Sequence, residues 1–259
     1  MRRTLASLAL LLIAGTAAAA LAQDGRVLDF LGGRREPLPE PGANQSYDGR
    51  LTFVRLRYNM GFEGRRWEPP WAHDYPTADV HMMKILHELT LTRPRLDGSN
   101  VMSLADPELH SYPIAYMSEP GFWGMDEDEV KGLRAYLLKG GFMIFDDFRA
   151  RDWDNLQDQV RLAFPTGQWI ELDATQPVWH SFFEITDPQT MIPPYGGLPA
   201  MFFGLFENND RNGRMMAVAN VNNDLGEYWE FSDSGYAPVD LSNEAYKFGV
   251  NYFIYGLTH

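Results

Sequence analysis

Apolar and polar positions along residues 51–259 switch between two periods, and the switching predicts strands and helices in alternation. Residues 51–58 are β-branched and aromatic with alternating polar positions, which is typical of a strand. Residues 76–90 repeat apolar side chains at helical spacing. Further strands are predicted at 113–117, 142–145, 169–172, 200–206 and 214–221, and further helices near 126–139, 152–164 and 243–257.

The clearest predicted element is the helix that follows Asp126. Asp126 can cap its first turn, and Glu129, three residues later, completes a capping box. Gly140 supplies the left-handed residue that commonly ends a helix. The run 142–145 comes next, and a continuous apolar run of this length is typical of a strand that is covered on both faces.

Strands and helices that alternate in this way form parallel β-α-β units. The sequence therefore predicts an α/β fold with a mostly parallel, open sheet and helices on both faces. In such sheets the ligand crevice lies beyond the carboxyl ends of the strands. Polar residues at the predicted strand ends are for this reason the first candidates for a site.

The first 22 residues have the pattern of a secretory signal peptide. Arg2 and Arg3 precede an apolar segment, and an A-x-A sequence at 20–22 stands before Gln23. We expect cleavage there and export, to the periplasm or outside the cell. The alternative is an uncleaved anchor, because the segment is just long enough to span a bilayer.

Residues 23–50 contain repeated glycine and proline and few apolar positions, which is typical of a linker. Residues 51–259 then form the predicted globular domain. No segment after residue 22 reaches the roughly 18 uninterrupted apolar residues of a membrane span. We therefore expect no membrane span after signal cleavage.

The composition excludes several classes of function. The chain of 259 residues carries 22 Lys and Arg against 35 Asp and Glu, a formal net charge of −13. A protein this acidic is a poor candidate for binding nucleic acid by neutralising phosphates. The chain has no cysteine, which excludes disulfides, thiolate zinc sites and a cysteine nucleophile.

Acidic and amide side chains follow two of the predicted strands. Asp146 and Asp147 come after the run 142–145, and Asn223 and Asp224 come after the strand at 214–221. If these strand ends converge, their oxygens could hold Mg²⁺ or Ca²⁺, or one carboxylate could act as a general base. No other cofactor is expected. The alternative is that both segments form hydrogen-bonded turns.

The first predicted strand and the loop after it add further candidates. Arg57 and Tyr58 lie near the strand's end, where Arg57 could pair with a crevice carboxylate or an anionic ligand. The alternative is an edge strand with one wet face. The following loop is long for a β-α connection and holds Trp67 and Trp71, which could stack on a saccharide or a partner protein. The alternative is a lid that packs its own aromatic rings.

The histidines show no metal-binding spacing. His81 and His87 are six residues apart on one predicted helix, which does not place them on one face. His73 and His180 are isolated, and such residues are more often loop or surface residues than ligands.

Several motifs together resemble those of DUF4159, a family of unknown function, over about residues 51–259. They are V-R-L-R-Y at 54–58, W-x-H-D-Y-P at 71–76, D-P-E-L at 106–109, L-R-A-Y-L-L-K-G-G-F at 133–142, N-D-L-G at 223–226 and G-V-N-Y-x-x-Y at 249–255. Members of this family often occur in membrane-anchored proteins beside MoxR-type ATPases and von Willebrand A-like domains. The resemblance therefore implies work in the cell envelope.

The motif at 133–142 is also similar to trehalose-utilisation-type proteins of the class I glutamine-amidotransferase-like superfamily. That similarity implies a three-layer, flavodoxin-like fold. It does not imply amidotransferase activity, because the superfamily's nucleophile is a cysteine and this chain has none.

Two functional hypotheses follow from these observations. The first is an exported, non-catalytic binding or scaffold domain of the cell envelope, which engages a protein or saccharide through the crevice and the aromatic loop. The second is a divalent-metal-dependent hydrolase that uses Asp146, Asp147 and Asp224 as ligands or base. In the second hypothesis Arg57 stabilises the negative charge of the transition state.

Overall fold

The computed structural model describes residues 41–60, 69–194 and 196–259. The predicted signal peptide, most of the predicted linker and Trp67 lie outside the described residues. Within these ranges, strands and helices alternate along the chain, as the sequence pattern predicts. The strands are β1 Val54–Leu56, β2 Asn59–Met60, β3 Asn100–Met102, β4 Ile114–Ser118, β5 Trp123–Gly124, β6 Phe142–Phe148, β7 Trp169–Glu171, β8 Met201–Phe206 and β9 Met215–Val221.

The helices begin and end close to the predicted positions. Asp126 accepts hydrogen bonds from the backbone N–H groups of Asp128 and Glu129, and the Glu129 side chain returns a bond to the backbone of Asp126, so the predicted capping box is confirmed. No helix of the described ranges is long and apolar enough to cross a membrane. The α-helices are α1 Thr77–Leu89, α2 Glu127–Leu138, α3 Ala150–Ala163, α4 Leu225–Glu230 and α5 Val239–Thr258.

Seven strands form one mostly parallel sheet in the order β3-β1-β4-β6-β9-β8-β7. The five strands from β3 to β9 run parallel, whereas β8 and β7 join in antiparallel pairs. The direction of β8 relative to β9 follows from their connection, because a short polar turn cannot make the crossover that parallel strands need. β2 and β5 form a separate antiparallel pair.

Alternate residues of the central strands enter two hydrophobic clusters on opposite faces of the sheet. In β6, Ile144 belongs to the cluster that contains residues of α1, α4 and α5. Met143 and Phe145 belong to the cluster that contains residues of α2 and α3. All of β6 is buried, as predicted for a strand with helices on both of its faces.

The structure corrects one interpretation of β1 and adds four short elements to those predicted, namely β2, β3, β5 and α4. β1 pairs with β3 on one side and β4 on the other, so the edge-strand interpretation is wrong. The edge strand beside β1 is β3, which is too short to give a periodic pattern in the sequence. The same shortness hides helix α4, which begins where the sequence alone also allows a turn.

Part of the predicted linker contacts the open edge of β3. The side-chain amide of Asn44 accepts a hydrogen bond from the N–H of Val101 and donates one to its carbonyl, both at 2.9 Å. The backbone of Gln45 makes an equivalent pair with the side-chain amide of Asn100. These bonds satisfy edge groups that would otherwise face solvent.

Candidate functional site

Four side chains converge beyond the carboxyl ends of the parallel strands. His73 and Asp74 come from the segment between β2 and α1, Asp147 from the end of β6, and Asp224 from the segment after β9. One potential ligand atom of each residue lies within 4.8 Å of those of the other three. We call these four residues the His-Asp cluster.

His73 is the member of the His-Asp cluster that contacts solvent. Its side chain is 34% exposed, whereas the three carboxylates are buried. Its Nδ1 lies 2.7 Å from Oδ2 of Asp147 and 3.4 Å from Oδ1 of Asp74. Burial lowers the pKa of His73, but the carboxylates of Asp74 and Asp147 outweigh burial and raise that pKa well above its usual value.

Asp74 is a buried carboxylate without hydrogen bonds. It is 3% exposed, and neither of its oxygens has a hydrogen-bond partner in the described part of the chain. Burial raises its pKa well above the usual range; His73 opposes this shift and Asp147 adds to it. A buried carboxylate that accepts no hydrogen bond is unfavourable in a folded protein, and the 3.4 Å ion pair of Oδ1 with His73 compensates that cost only in part.

Asp147 reaches the crevice through an irregularity in β6. The register between β6 and β9 shifts between Phe145 and Phe148, and Asp147 has a left-handed φ of 57°. Its Oδ2 accepts a hydrogen bond from the hydroxyl of Ser118 at 3.1 Å, in addition to its contact with His73. Because of this irregular backbone, Asp147 points into the His-Asp cluster while the adjacent Asp146 contacts other residues.

Asp146 uses its carboxylate to bind the start of helix α4. Its Oδ2 accepts the backbone N–H groups of Leu225 and Gly226 at 2.8 and 3.0 Å and the Tyr116 hydroxyl at 3.0 Å. Its Oδ1 accepts the side-chain amide of Asn220 at 2.9 Å. Burial raises the pKa of Asp146 to about 6, against the effect of the Asn220 bond.

Helix α4 carries the last member of the cluster and two more acids. Asp224 caps the helix, and its Oδ1 accepts the N–H of Glu227 at 2.8 Å. Burial, and then Asp147 and Asp74, raise the pKa of Asp224 well above its usual range. Asp74, Glu227 and Glu230 form a second group whose carboxylate oxygens lie within 4.8 Å of one another. Burial raises the pKa of Glu227 to about 7, against the opposing effect of His73.

A buried arginine holds the loop that carries His73 and Asp74. Nη1 of Arg55 donates to the carbonyls of Trp71 and His73 at 3.2 and 2.8 Å. Its Nη2 lies 2.5 Å from Oδ1 of Asp79 on α1, and both side chains are fully buried. Arg55 therefore fixes the loop backbone to β1 and α1, which positions two members of the His-Asp cluster.

The family described as a domain of unknown function (DUF4159) matches the chain over residues 52–257. The chain belongs to the DUF4159 family. This finding confirms the family that the sequence motifs indicate. No curated protein matches the chain. The His-Asp cluster and both glutamates of α4 lie inside the matched range, so the site is part of the DUF4159 domain itself.

The sequence-predicted site residues of this DUF4159 domain separate into two groups. Asp147 and Asp224 meet in the His-Asp cluster, whereas Asp146 lies beside the cluster with its oxygens occupied by α4 and β9. Asn223 is buried, and its side-chain amide has no hydrogen-bond partner among residues that the structure describes. The predicted ligand set of Asp146, Asp147 and Asp224 is therefore brought together only in part.

Arg57, Tyr58 and Trp71, the described candidates from the first strand and its loop, lie outside the His-Asp cluster. Arg57 is exposed, and within the described ranges it forms no ion pair with an acidic residue. The hydroxyl of Tyr58 is 3.0 and 2.6 Å from the carbonyls of Ser118 and Glu119, to which it donates. Trp71 is half-buried with its ring centroid 6.3 Å from that of Tyr75.

Sequence reasoning missed His73, Asp74 and Glu227 as site residues. The expectation that His73 is a loop residue is correct for its backbone, but its side chain joins the acidic cluster. The motif W-x-H-D-Y-P at 71–76 contains both His73 and Asp74 and was the available signal. Spacing gives no such signal, because His73 contacts a residue 74 positions away.

Proposed function

We propose that this DUF4159 domain is a divalent-cation-dependent hydrolase whose cation is held by the His-Asp cluster. The observation that carries the proposal is Asp74, a buried carboxylate whose oxygens accept no hydrogen bond from the described residues and which has three further potential ligands within 4.8 Å. Carboxylate oxygens suit Mg²⁺, Mn²⁺ and Ca²⁺, and one imidazole adds affinity for transition metals.

The mutual repulsion of the carboxylates supports a cation at this place. Asp74, Asp147 and Asp224 lie close enough that Asp147 raises the pKa of the other two. Like charges in a buried site disfavour ionisation of each other. A divalent cation removes that repulsion and makes all three carboxylates favourable in their ionised form.

Hydrolysis is the class of reaction that fits a cation centre reached by solvent. A divalent cation held by the His-Asp cluster would lower the pKa of a bound water and would polarise a substrate carbonyl or phosphoryl oxygen. The water oxygen bonds to the acyl carbon or phosphorus, the bond to the leaving group breaks, and one proton of the water passes to the leaving group. The partial exposure of His73 supports access from one side.

We also infer that the fold is flavodoxin-like, as in the class I glutamine-amidotransferase-like superfamily. Counted among themselves, the five parallel strands have the order second, first, third, fourth, fifth, and this order is typical of flavodoxin-like sheets. Such folds bind ligands where the strand order reverses, which here is between β1 and β4. The absent cysteine favours a different chemistry from that of the amidotransferases.

Titration of the chelator-treated chain with Mn²⁺, Mg²⁺ and Ca²⁺ tests the centre. Saturating cation is expected to raise the melting temperature by about 5–10 °C, which corresponds to a ligand at roughly 100 times its Kd. Asp147→Asn removes the rise. Asp158→Asn, in an exposed pair with Arg161, leaves it unchanged.

A panel of p-nitrophenyl carboxylic, phosphate and phosphodiester substrates then tests turnover with and without the cation. Cation-dependent release of nitrophenol that is lost in Asp147→Asn supports the hydrolase. The absence of any cation response contradicts the proposal. Cation uptake without turnover of any substrate contradicts the hydrolase and favours the exported binding or scaffold domain instead.

A further inference from the structure

Asp74 belongs to two groups of potential ligands that share no other residue. The first group is the His-Asp cluster. The second is formed by Asp74 with Glu227 and Glu230, and each of these acids offers one carboxylate oxygen within 4.8 Å of the others. Glu227 and Glu230 lie one helical turn apart on α4 and are half-buried.

The two oxygens of Asp74 face different groups. Oδ1 lies 3.4 Å from Nδ1 of His73 in the His-Asp cluster. Oδ2 lies against Gly226 on helix α4, so closely that a Cβ at Gly226 would overlap it. One oxygen is therefore directed at the cluster, and the other is directed at the helix that carries Glu227 and Glu230.

Within the described residues Oδ1 of Asp74 has the 3.4 Å ion-pair contact with His73, and neither oxygen accepts a hydrogen bond. The side chain is 3% exposed, and no donor of the described chain bonds to either oxygen. By contrast, the neighbouring Asp146 has donors on both of its oxygens. A single cation in the His-Asp cluster would use Oδ1 and leave Oδ2 buried without a partner, which is unfavourable.

We propose that the site is a two-cation centre in which Asp74 is the bridging ligand. His73, Asp147 and Asp224 complete the ligands of one cation, and Glu227 and Glu230 hold the second. This inference rests on the cation-dependent function proposed above. Two cations about 3.5–4 Å apart contact both the attacking and the leaving oxygen of a hydrolysis, which a single cation does less well.

Cation stoichiometry of the full chain separates the two proposals. After chelation and reloading with Mn²⁺, elemental analysis and calorimetry are expected to give two Mn²⁺ per chain. The electron paramagnetic resonance spectrum is expected to show exchange coupling between the two ions through the bridging carboxylate. One Mn²⁺ per chain overturns the two-cation centre and leaves the proposed function standing; no bound Mn²⁺ overturns both.

Two variants and a control assign the second cation to α4. Glu227→Gln and Glu230→Gln each keep the size of the side chain and are expected to weaken the second Mn²⁺ by more than about tenfold and to abolish the coupling, with one Mn²⁺ retained. Glu244→Gln, which breaks a surface ion pair with Lys247 on α5, is the control and is expected to bind two Mn²⁺ per chain. Two coupled Mn²⁺ ions in both α4 variants would place the second cation elsewhere and overturn the proposal.

Discussion

Asp74 places an ionisable group where solvent is excluded and where the described chain supplies an ion-pair contact with His73 at 3.4 Å but no hydrogen bond. The ionised form is therefore destabilising until a cation or a proton neutralises it. The backbone of Asp74 also restricts which residues suit this position. Its φ of 64° lies in the left-handed region, which Asp and Asn adopt more readily than most residues. These properties favour a role for Asp74 in binding a cation over a role in stabilising the fold.

Asp74→Asn should raise the stability of the cation-free protein. The amide removes a buried charge, tolerates the same φ and can donate to the carboxylate of Asp147 or Asp224. We expect the free energy of unfolding in chelator at pH 7.5 to rise by about 1–2 kcal/mol. With Mn²⁺ present we expect the wild type to be more stable than Asp74→Asn, because only the wild type is stabilised by binding the cation. Thermal unfolding in both buffers measures this, and a variant less stable than the wild type in chelator contradicts it.

Gly226→Ala tests the close approach of Asp74 to helix α4. The new Cβ would overlap Oδ2 of Asp74 and would lie 2.8 Å from the Tyr116 hydroxyl. We expect a loss of about 1–3 kcal/mol in unfolding free energy and a weaker cation response, measured by thermal unfolding. Gly42→Ala is the control, because a Cβ there meets no atom of the described residues within 4 Å. A full cation response in Gly226→Ala would argue against this geometry.

The sequence predicts part of the site at this scale. Asp147 and Asp224 are recognisable because each follows an apolar strand. The different task of Asp146 is not recognisable, because a bulge in β6 decides which of two adjacent aspartates enters the crevice. His73 is hidden for another reason: its partners are distant in sequence and meet it only in the folded chain.

At the scale of elements, the buried pair of Arg55 and Asp79 joins β1 to α1 and supports the loop between them. Ser99 adds a hydrogen bond from its hydroxyl to Oδ2 of Asp79 at 2.7 Å. The guanidinium also lies 5.0 Å from the ring centroid of Tyr116. A pair that is fully buried and so completely bonded is expected to be sensitive to the loss of either partner.

Asp79→Asn should leave the Arg55 charge buried without a counter-ion. We expect the unfolding free energy to fall by about 3 kcal/mol or more, and the cation affinity to fall because the loop carbonyls lose a fixed donor. Denaturant unfolding and cation titration measure the two effects. Asp158→Asn, which breaks the exposed pair with Arg161, should change neither. An equal response of the two variants would show that Arg55 does not position the loop.

The carboxyls around α4 give the cation-free protein a defined pH dependence. Burial raises the pKa of Asp146 to about 6 and of Glu227 to about 7, from ordinary values of 3.8 and 4.5. Each group binds its proton more tightly in the folded than in the unfolded chain. The free energy of unfolding therefore falls as the pH rises from about 4 to about 7. The exposed Asp48 and Asp173, whose pKa values are lowered to about 2, act in the opposite direction and only below about pH 4.

Melting temperatures in chelator between pH 4 and 8 measure this dependence. The decline should be shallower in Glu227→Gln, because one of the contributing groups is gone. With Mn²⁺ the stabilisation should be larger at pH 7.5 than at pH 5, since protons compete for the same oxygens. A Glu227→Gln profile parallel to that of the wild type would contradict the raised pKa of Glu227.

Element prediction succeeded for every long element, and the elements that it missed are all short. The helices α1, α2, α3 and α5 and the strands β4, β6, β8 and β9 each extend over enough residues to show a period. β3 has three residues and α4 has six, and neither length fixes a period. α4 forms because Asp224 caps it and Asp146 accepts two of its backbone N–H groups, and these contacts are tertiary.

At the scale of the whole molecule, the site exists because β-α-β units bring distant segments to one edge of the sheet. The sequence predicted the mostly parallel sheet with helices on its two faces. It did not predict that β8 and β7 join in antiparallel pairs; the short turn explains the direction of β8 relative to β9, whereas the long connection between β7 and β8 allows either direction. The sheet topology determines where the site lies. Local backbone irregularities, such as that in β6, determine which side chains enter the His-Asp cluster.

Export also belongs to this scale, and the pattern of residues 1–22 supports it as a proposal. We expect the mature chain to begin at Gln23. Intact-mass measurement and amino-terminal sequencing of the protein from its native cells provide the check. A chain that retains Arg2 and Arg3 and fractionates with membranes would instead support the uncleaved anchor.

Asn44 has a consequence for how the sheet meets other molecules. Its amide imitates the peptide group of a neighbouring strand and saturates both backbone groups of Val101. A chain that retains Asn44 therefore offers no free backbone groups at Val101 to an incoming extended polypeptide, and edge-to-edge growth of the sheet is blocked there. A truncation that begins after residue 50 would expose the edge of β3 and promote self-association. Any shortened version of the protein therefore needs to retain Asn44 and Gln45.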